Sequence, residues 1–169
     1  MSSRHTTLDS PLGQLTLTAR GEFLTGIFYE GHWHMPQPDY FGDLTGIDDP
    51  VFARTQTELA EYLGGHRTVF DVPFEALGNP FQEKVWDRLK HIPFGETVSY
   101  GELASELGDP HLAQAVGSAV GRNPISIIIP CHRVVGRNGQ LTGYAGGLRN
   151  KRFLLELEEP AEVREGKLF

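Results

Sequence analysis

The chain has 169 residues, of which 39% are hydrophobic, and a net charge of −7. This length suffices for one large domain or two small ones, and no apolar run approaches the roughly 20 residues that a membrane-spanning helix needs. The acidic balance argues against a generally basic nucleic-acid binder, and the single cysteine excludes an internal disulfide and fits a reducing compartment.

The chain begins with predicted strands. Alternating apolar and polar side chains predict a strand, a turn and a strand over residues 6–18, and a further strand over residues 23–29. Residues 31–46 are rich in Gly, Pro and Asp, which predicts a loop. His32 and His34 lie in this loop without a cysteine or a further spaced ligand, so a surface position is favoured over a metal site.

A helix and a short strand complete the first half. Asp49 precedes a proline and is predicted to cap the start of a helix, which Gly64 ends. The composition of residues 68–74 predicts a short strand, and that of residues 76–79 is typical of a linker. We therefore expect a supporting α/β domain over residues 1–76 and a second domain over residues 77–169.

The second half is predicted to be mainly helical. Asn79, which a proline follows, begins a helix whose apolar residues recur at helical spacing. Ser99 and Glu102 have the spacing of a capping box at the start of a second helix, and Asp109 begins a third. The tight turn between these two helices is typical of a DNA-binding helix-turn-helix, although a plain helical hairpin has the same pattern.

The third of these helices begins a basic segment. Residues 111–155 carry six basic side chains and no acidic one, whereas residues 1–110 carry seven basic and seventeen acidic ones. Such a segment predicts a surface for a polyanion, with chance clustering as the alternative. Small residues in the helix would let it approach a minor groove about 6 Å wide. They are Ala113, Ala115, Gly117, Ser118 and Ala119.

Residues 125–135 contain the only cysteine, Cys131. The apolar run over residues 125–129 predicts a buried strand, which a proline ends. His132 and Arg133 follow the thiol, and a neighbouring base or positive charge favours the nucleophilic thiolate. The residue types alone leave four interpretations open: a cysteine hydrolase, a redox thiol, an alkyl acceptor and a buried structural cysteine.

A final helix is predicted from Asn150. A base beside a nucleophile needs a third group to orient it, and Glu158, near the end of this helix, is an acid in the same half of the chain. The polar tail from Pro160 is expected to be loose. Three apolar residues of the helix are predicted to point inward, namely Phe153, Leu154 and Leu157.

Residues 130–135, Pro-Cys-His-Arg-Val-Val, resemble the active-site signature of the O6-alkylguanine-DNA alkyltransferases, also called methylated-DNA–protein-cysteine methyltransferases, in their bacterial form. Further motifs match in the same order, at residues 9–13, 81–86, 92–96, 99–101, 115–117, 123–124 and 142–147. The resemblance implies a mixed α/β fold. It has a small N-terminal α/β domain with an antiparallel sheet, and a mainly helical C-terminal domain with a winged-helix-like helix-turn-helix.

The resemblance implies direct-reversal DNA repair. The damaged base is flipped out of the duplex, and Cys131 irreversibly takes a methyl or other alkyl group from O6 of guanine, or from O4 of thymine where the pocket accepts it. Each molecule acts once, without a cofactor or a metal. The implied partner is double-stranded DNA that carries O6-alkylguanine. We expect a monomer without a membrane partner, clustering cooperatively on DNA, in the bacterial cytoplasm and at the nucleoid when bound.

Roles for residues around Cys131 are also implied by the resemblance. Glu158 orients His132, which takes the thiol proton through a water. Tyr100 helps to rotate the nucleotide and to protonate the leaving guanine, and Asn123 braces the loop between the recognition helix and the active site. Four residues are implied to contact the substrate, namely Val134, Tyr144, Ala145 and Gly146.

DNA contacts are implied for the recognition helix and the residue that follows it, namely Ala113, Gln114, Ala115, Gly117, Ser118 and Arg122. Many members carry an arginine where this chain has Gln114, and that arginine fills the gap left by the flipped base. Gln is shorter, uncharged and unable to stack as a guanidinium does, so we predict weaker DNA binding and slower repair than in an arginine form. Arg133 is implied to be structural, and the N-terminal cysteines of the human-type zinc site are lacking.

Two other classes of protein compete with this interpretation. Alkyltransferase-like proteins recognise damage without catalysis and replace the cysteine, usually by Trp, so Cys131 discriminates against them. A cysteine hydrolase would turn over without consuming its thiol, which a mass measurement after reaction with methylated DNA would distinguish.

Overall fold

The computed structural model describes residues 2–32 and 34–160, so Trp33 and the predicted loose tail beyond Pro160 lie outside the described residues. The first half begins with three strands, which confirm the predicted ones: β1 (Ser3–Ser10), β2 (Gly13–Arg20) and β3 (Phe23–Tyr29). Each pairs antiparallel with the next, and the alternating pattern places its apolar residues on the core side.

The predicted loop after β3 contains two short elements. A helix, α1 (Pro38–Phe41), begins at a proline, and a strand, β4 (Asp43–Leu44), pairs parallel with β1. The sheet therefore has four strands in the order β3-β2-β1-β4. The predicted antiparallel pairing is present among β1, β2 and β3, whereas the two-residue β4 at the edge pairs parallel with β1.

His32 is buried, and the prediction that it lies on the surface is wrong. Its Nδ1 accepts a hydrogen bond from the backbone N–H of Tyr29 (3.1 Å), and the two rings stack with their centres 6.0 Å apart. Burial lowers the pKa of His32 to about 4, and the charge of His34 adds to this effect. The imidazole is thus a neutral part of the core near pH 7.

The predicted helix after the sheet is present as α2 (Pro50–Leu63). The side chain of Asp49 accepts a hydrogen bond from the backbone N–H of Val51 (3.1 Å), and Gly64 ends the helix. This is the expected arrangement of an acidic cap, a proline in the first turn and a terminal glycine.

Residues 68–74 do not form the predicted strand, apart from a single bridge at their end. The backbone N–H groups of Asp71 and Val72 donate to Oε1 of Glu58 at 2.8 and 3.1 Å. Because a buried carboxylate takes these donors, they are not available for pairing with a neighbouring strand.

Three helices of the second half lie at the predicted positions, namely α3 (Pro80–Leu89), α4 (Tyr100–Glu106) and α5 (Ala113–Gly121). The side chain of Ser99 accepts a hydrogen bond from the backbone N–H of Glu102 (3.0 Å), as its capping position predicted. Asp109 caps a 3-10 turn, Pro110–Leu112, that precedes α5. The α-helix itself therefore begins one turn later than predicted.

Residues 125–129 are buried, as their apolar character predicted, but they do not form a strand. They make consecutive turns, in which the N–H of Ile128 donates to the carbonyl of Ser126 (2.9 Å) and that of Ile129 to Ile125 (3.0 Å). Ile127 has a φ of 77°, a left-handed conformation that a β-branched residue rarely adopts. The local hydrogen bonds occupy groups that a strand would have offered to a sheet.

Two short strands and a last helix complete the fold. Strands β5 (Val98–Ser99) and β6 (Val134–Val135) pair parallel and bring the start of α4 beside the residues that follow Cys131. Helix α6 (Leu148–Glu158) begins slightly earlier than predicted. Its Phe153 is 38% exposed, so the prediction that this ring points inward is wrong. Leu154 is buried and Leu157 is half-buried.

One hydrophobic core extends through both halves of the chain. The indole N–H of Trp86 donates to the carbonyl oxygen of Ala119 (2.8 Å), which fixes α3 against α5. No helix in residues 2–32 and 34–160 is both long and apolar enough to cross a membrane. Core residues from the two halves include Leu17, Ile27, Phe52, Leu103 and Val116.

Candidate active site and nucleic-acid interface

Cys131 is the first residue of a 3-10 turn, Cys131–Arg133. Cys131 is only 3% exposed. Burial raises the pKa of the thiol, whereas a hydrogen bond with the Asn123 side chain and the charge of Lys151 lower it. Burial outweighs the other effects. The resting thiol is therefore protonated near neutral pH and needs a base to become a nucleophile.

Asn123 connects the end of α5 to the turns that precede Cys131. Its Nδ2 donates to the carbonyl oxygen of Ile129 (2.8 Å), and its Oδ1 accepts from the backbone N–H of Ile125 (3.0 Å). Asn123 is buried, so losing these bonds would leave interior backbone groups unpaired. The side chain thus fixes both ends of the turn segment relative to α5.

Glu158, the last residue of α6, is the centre of a buried hydrogen-bond network. Its Oε2 accepts from Nε2 of His132 (2.8 Å), Nη2 of Arg133 (2.9 Å) and the phenol of Tyr62 (2.5 Å). Its Oε1 accepts from Nε of Arg133 (2.8 Å). Burial raises the pKa of Glu158, but the hydrogen bonds and charges of His132 and Arg133 outweigh burial and lower the pKa to about 2. Glu158 is therefore ionised near neutral pH.

This carboxylate fixes the tautomer of His132. An ionised carboxylate has no proton to donate, so Nε2 of His132 carries the hydrogen of their bond. Nδ1 is then the nitrogen with the lone pair, and it is buried without a hydrogen-bond partner among the described residues. Burial lowers the pKa of His132, although the bond to Glu158 opposes this. A neutral imidazole with an available basic nitrogen suits a general base.

Arg133 ties the active-site turn to other parts of the fold. Its Nη1 donates to the carbonyl oxygen of Ile92 (2.6 Å), and its guanidinium carbon lies 5.8 Å from the centre of the Phe94 ring. Its remaining hydrogen bonds go to Glu158. The guanidinium is thus paired inside the protein and is not presented to a polyanion in solvent.

Lys151 is a second basic residue of segment 111–155 that lies inside the protein. Its Nζ donates to the carbonyl oxygens of Val134 (2.6 Å) and Thr142 (2.9 Å). Burial lowers the pKa of Lys151 to about 8. The basic surface is therefore smaller than the sequence predicted. Its exposed members are Arg122, Arg137, Arg149 and Arg152.

The four predicted substrate contacts lie on two segments, one at Val134 and one at residues 144–146. Lys151 connects these segments through its hydrogen bonds to the carbonyls of Val134 and Thr142. Val134 is fully buried, and Tyr144 and Ala145 are 3% and 6% exposed. The phenol oxygens of Tyr144 and Tyr29 lie 2.7 Å apart. Gly146, half-buried, packs so closely on Tyr29 that an added Cβ would lie 2.4 Å from the ring. The segment is held in place by the first half of the chain.

Tyr100, the first residue of α4, lies against α5. A Cβ added to Gly117 would lie 3.8 Å from the Tyr100 ring, which is ordinary van der Waals contact, so the ring packs directly beside this position of the helix. Burial raises the pKa of the Tyr100 phenol, a hydrogen bond with Thr142 opposes this, and a charge on Cys131 would raise it further. The phenol is protonated near neutral pH and lies near enough to the thiol to interact with its charge.

Helix α5 presents most of the predicted DNA contacts to solvent. Gln114, Ala115 and Ser118 are exposed, and Ala113 and Gly117 are half-buried. Positions 114 and 118 are four residues apart and therefore share one face of the helix. Arg122 is exposed directly after α5, next to the buried Asn123.

Three residues that hold the segments of the candidate site in place escaped the sequence analysis, namely Tyr29, Tyr62 and Lys151. The two tyrosines occupy core positions of a strand and a helix, and no motif marks their hydroxyls. Lys151 was assigned to a basic surface. Its spacing offered a signal, since it lies three residues before Leu154 and seven before Glu158, on the inward face of α6.

The part of the chain that the structure describes contains no group of three or more His, Cys, Asp or Glu side chains that could hold a metal ion. Near the thiol, His132 and Glu158 are bonded to each other. The cations of Arg133 and Lys151 would oppose a metal ion there.

Two family models match the chain. Residues 3–76 match the 6-O-methylguanine DNA methyltransferase, ribonuclease-like domain, and residues 80–160 match the 6-O-methylguanine DNA methyltransferase, DNA binding domain. A methylated-DNA–protein-cysteine methyltransferase of Mycobacterium tuberculosis is 44% identical over 163 residues, which are 96% of each chain. The protein of the same name from Mycolicibacterium paratuberculosis is 46% identical over 154 residues, which are 90% of each chain.

A solved structure is similar over nearly the same span. The crystal structure of Mycobacterium tuberculosis OGT in complex with DNA has a TM-score of 0.84 and 44% identity, covering 95% of this chain and 97% of that one. Sequence and fold therefore agree along both halves of the molecule. The chain belongs to the 6-O-methylguanine DNA methyltransferase family.

Proposed function

We propose that this protein repairs alkylated DNA by direct reversal, moving a methyl or other alkyl group from O6 of guanine to Sγ of Cys131. The observation that carries the proposal is the buried series of Cys131, His132 and Glu158, in which the carboxylate leaves Nδ1 of the imidazole as the basic atom. Support also comes from the relatives, which are named methylated-DNA–protein-cysteine methyltransferases.

The proposed reaction is a displacement at the alkyl carbon. His132 takes the proton of the Cys131 thiol through a water, the S–C bond forms, and the bond from carbon to O6 of guanine breaks. The leaving guanine receives a proton from the Tyr100 phenol, which is restored from His132, so the net reaction moves the thiol proton to guanine. The thioether is stable, so each molecule acts once. O4 of alkylated thymine is a second substrate where the pocket accepts it.

The proposed partner is double-stranded DNA that carries O6-alkylguanine, with α5 in the minor groove. The exposed side chains of Gln114 and Ser118 and the guanidinium of Arg122 face it. The damaged base must leave the stack, at a cost of a few kcal/mol. Tyr144, Ala145, Gly146 and Val134 then receive it. Because these residues are largely buried, their segment must open when the base enters.

In this proposal residues 77–169 bind DNA and react, and residues 1–76 support them. The two family models, which end and begin at residues 76 and 80, favour this division. The monomer is the acting form, and it clusters cooperatively on DNA, in the cytoplasm or at the nucleoid. Analytical ultracentrifugation with and without DNA would test the assembly state.

Intact-protein mass spectrometry tests the reaction. After incubation with duplex DNA that contains one O6-methylguanine, the protein should gain one methyl group in place of a hydrogen, and peptide mapping should locate it on Cys131. The Cys131→Ser variant should bind the DNA without gaining mass. Unmodified protein beside an intact lesion would contradict the proposal, and repeated turnover would indicate a hydrolase.

A further inference from the structure

Tyr62 connects the first half of the chain to the carboxylate of Glu158. It lies on α2, is 1% exposed, and its phenol donates a hydrogen bond to Oε2 of Glu158 across 96 positions of the chain. This oxygen is also the one that accepts from Nε2 of His132. Tyr62 therefore acts on the same atom that fixes the imidazole.

The ring of Tyr62 is held firmly enough to direct its hydroxyl. Its centre lies 5.2 Å from that of Phe70 and 6.3 Å from that of Phe94, the latter in an edge-to-face arrangement. Phe94 also lies against the guanidinium of Arg133. One aromatic ring thus positions two of the three groups that donate to Oε2, which makes the geometry of the donors interdependent.

We propose that Tyr62 is a positioning residue of alkyl transfer, whose phenol sets the orientation and the basicity of Glu158 and through it the imidazole of His132. The proposal rests on the proposed function, since it assigns His132 as the base. It gives the first half of the chain a direct part in the chemistry. Tyr62 touches neither the thiol nor the base of the substrate in this assignment, so it is not a catalytic residue.

The sign of the effect follows from the charges around His132. Those that act on it are the carboxylate of Glu158 and the cations of Arg133 and Lys151, and a Cys131 thiolate would add a further negative charge. The Tyr62 phenol withdraws electron density from Oε2. Without it, the carboxylate is more negative towards Nε2 and favours the imidazolium. Because only neutral His132 accepts the thiol proton, removing the phenol should reduce the rate most at low pH.

Single-turnover rates of methyl transfer across a range of pH test the proposal in Tyr62→Phe. We expect a rate on the order of tenfold lower at neutral pH, from the loss of a hydrogen bond to a charged group. The acid limb of the profile should move to higher pH by roughly half a unit. Tyr40→Phe is a matched control, because that phenol donates to the carbonyl of Thr25 (2.8 Å) and does not contact Glu158. Its rate and profile should equal those of the wild type.

A second variant covers the case in which Tyr62→Phe does not fold. Site-specific 3-fluorotyrosine at position 62 keeps the hydroxyl but makes it a stronger donor, so the acid limb should move to lower pH. An acid limb that stays in place in each variant that folds would overturn the proposal, whatever the change in rate. Failure of the wild type to methylate Cys131 would instead overturn the proposed function, so the two failures are distinguishable.

Discussion

The phenol oxygens of Tyr29 and Tyr144 lie 2.7 Å apart in the interior, although 115 positions separate the residues in the chain. Burial raises the pKa of both phenols, so both stay neutral and share one hydrogen bond. Tyr29 belongs to β3, and Tyr144 to the glycine-rich segment beside Cys131. The pair therefore couples the sheet of the first half to the segment proposed to receive the substrate.

Removing either hydroxyl leaves the other buried without this partner, which costs roughly 1–3 kcal/mol, whereas removing both leaves neither unpaired. We expect Tyr29→Phe and Tyr144→Phe each to lower the free energy of unfolding by that amount. The double variant should lose clearly less than the sum. Urea unfolding of the four proteins measures the coupling, and strictly additive losses would contradict the pairing.

Gly146 is predicted to tolerate no side chain. A Cβ there would lie 2.4 Å from the Tyr29 ring, and that ring is held by its bond to Tyr144. We expect Gly146→Ala to destabilise the protein by about 1–3 kcal/mol, since overpacking forces neighbours to move. Gly121→Ala is the control, because a Cβ at Gly121 meets open space. Thermal unfolding should show little change or a gain in that variant, and equal losses in both would contradict the steric explanation.

Much of this arrangement was predictable from local patterns, and the rest depends on contacts distant in sequence. Asp49, Asn79 and Ser99 cap helices as predicted, because capping depends on residues two or three positions away. The apolar residues 125–129 were correctly predicted to be buried. Their turns were not, because hydrogen bonds from Asn123 at both ends decide the backbone path.

The site itself was predictable where a motif exists and not where only tertiary contacts define it. Cys131 and His132 stand in a recognisable signature, and Glu158 was assigned from the resemblance. Tyr62 and Tyr29 act through single hydroxyl groups on core positions, which a sequence pattern cannot separate from ordinary packing. The basic charge of Lys151 suggested a surface position, but two backbone carbonyl oxygens compensate it in the interior.

Glu158 should make the stability of the fold depend on acidic pH. Its pKa is lowered to about 2 in the folded protein, against an ordinary value near 4.3 in an unfolded chain. The stabilisation is therefore complete above about pH 5 and is lost as the pH falls towards about 2, with a magnitude of up to about 3 kcal/mol. Urea unfolding between these pH values should show a steep loss.

The contribution of Glu158 can be separated from that of other carboxyl groups. In Glu158→Gln the dependence between about pH 5 and pH 2 should flatten, while the protein is less stable at pH 7 because the buried charge of Arg133 loses its counter-ion. Glu22→Gln changes an exposed carboxyl group and should keep the steep wild-type slope. An unchanged slope in Glu158→Gln would contradict the role given to its ionised form.

Gln114 is the position at which the resemblance implies an arginine in many other proteins of the family. It is exposed on α5, four residues before Ser118 and on the same face. In the proposed complex with DNA, an arginine there would add a positive charge beside the phosphates and a flat group able to stack where the flipped base has left the duplex. A glutamine supplies neither, so we expect the flipped state to be less stabilised in this chain.

Gln114→Arg should therefore bind duplex DNA more tightly and transfer the methyl group faster than the wild type. One added phosphate contact increases the slope of log affinity against log salt by about 1. Gln56→Arg adds the same charge on the exposed side of α2 and serves as the control for charge alone. If affinity, salt slope and single-turnover rate do not exceed those of this control, the insertion role assigned to position 114 is wrong. A gain in affinity without a gain in rate would assign the arginine to docking, because stabilising the flipped base must accelerate transfer.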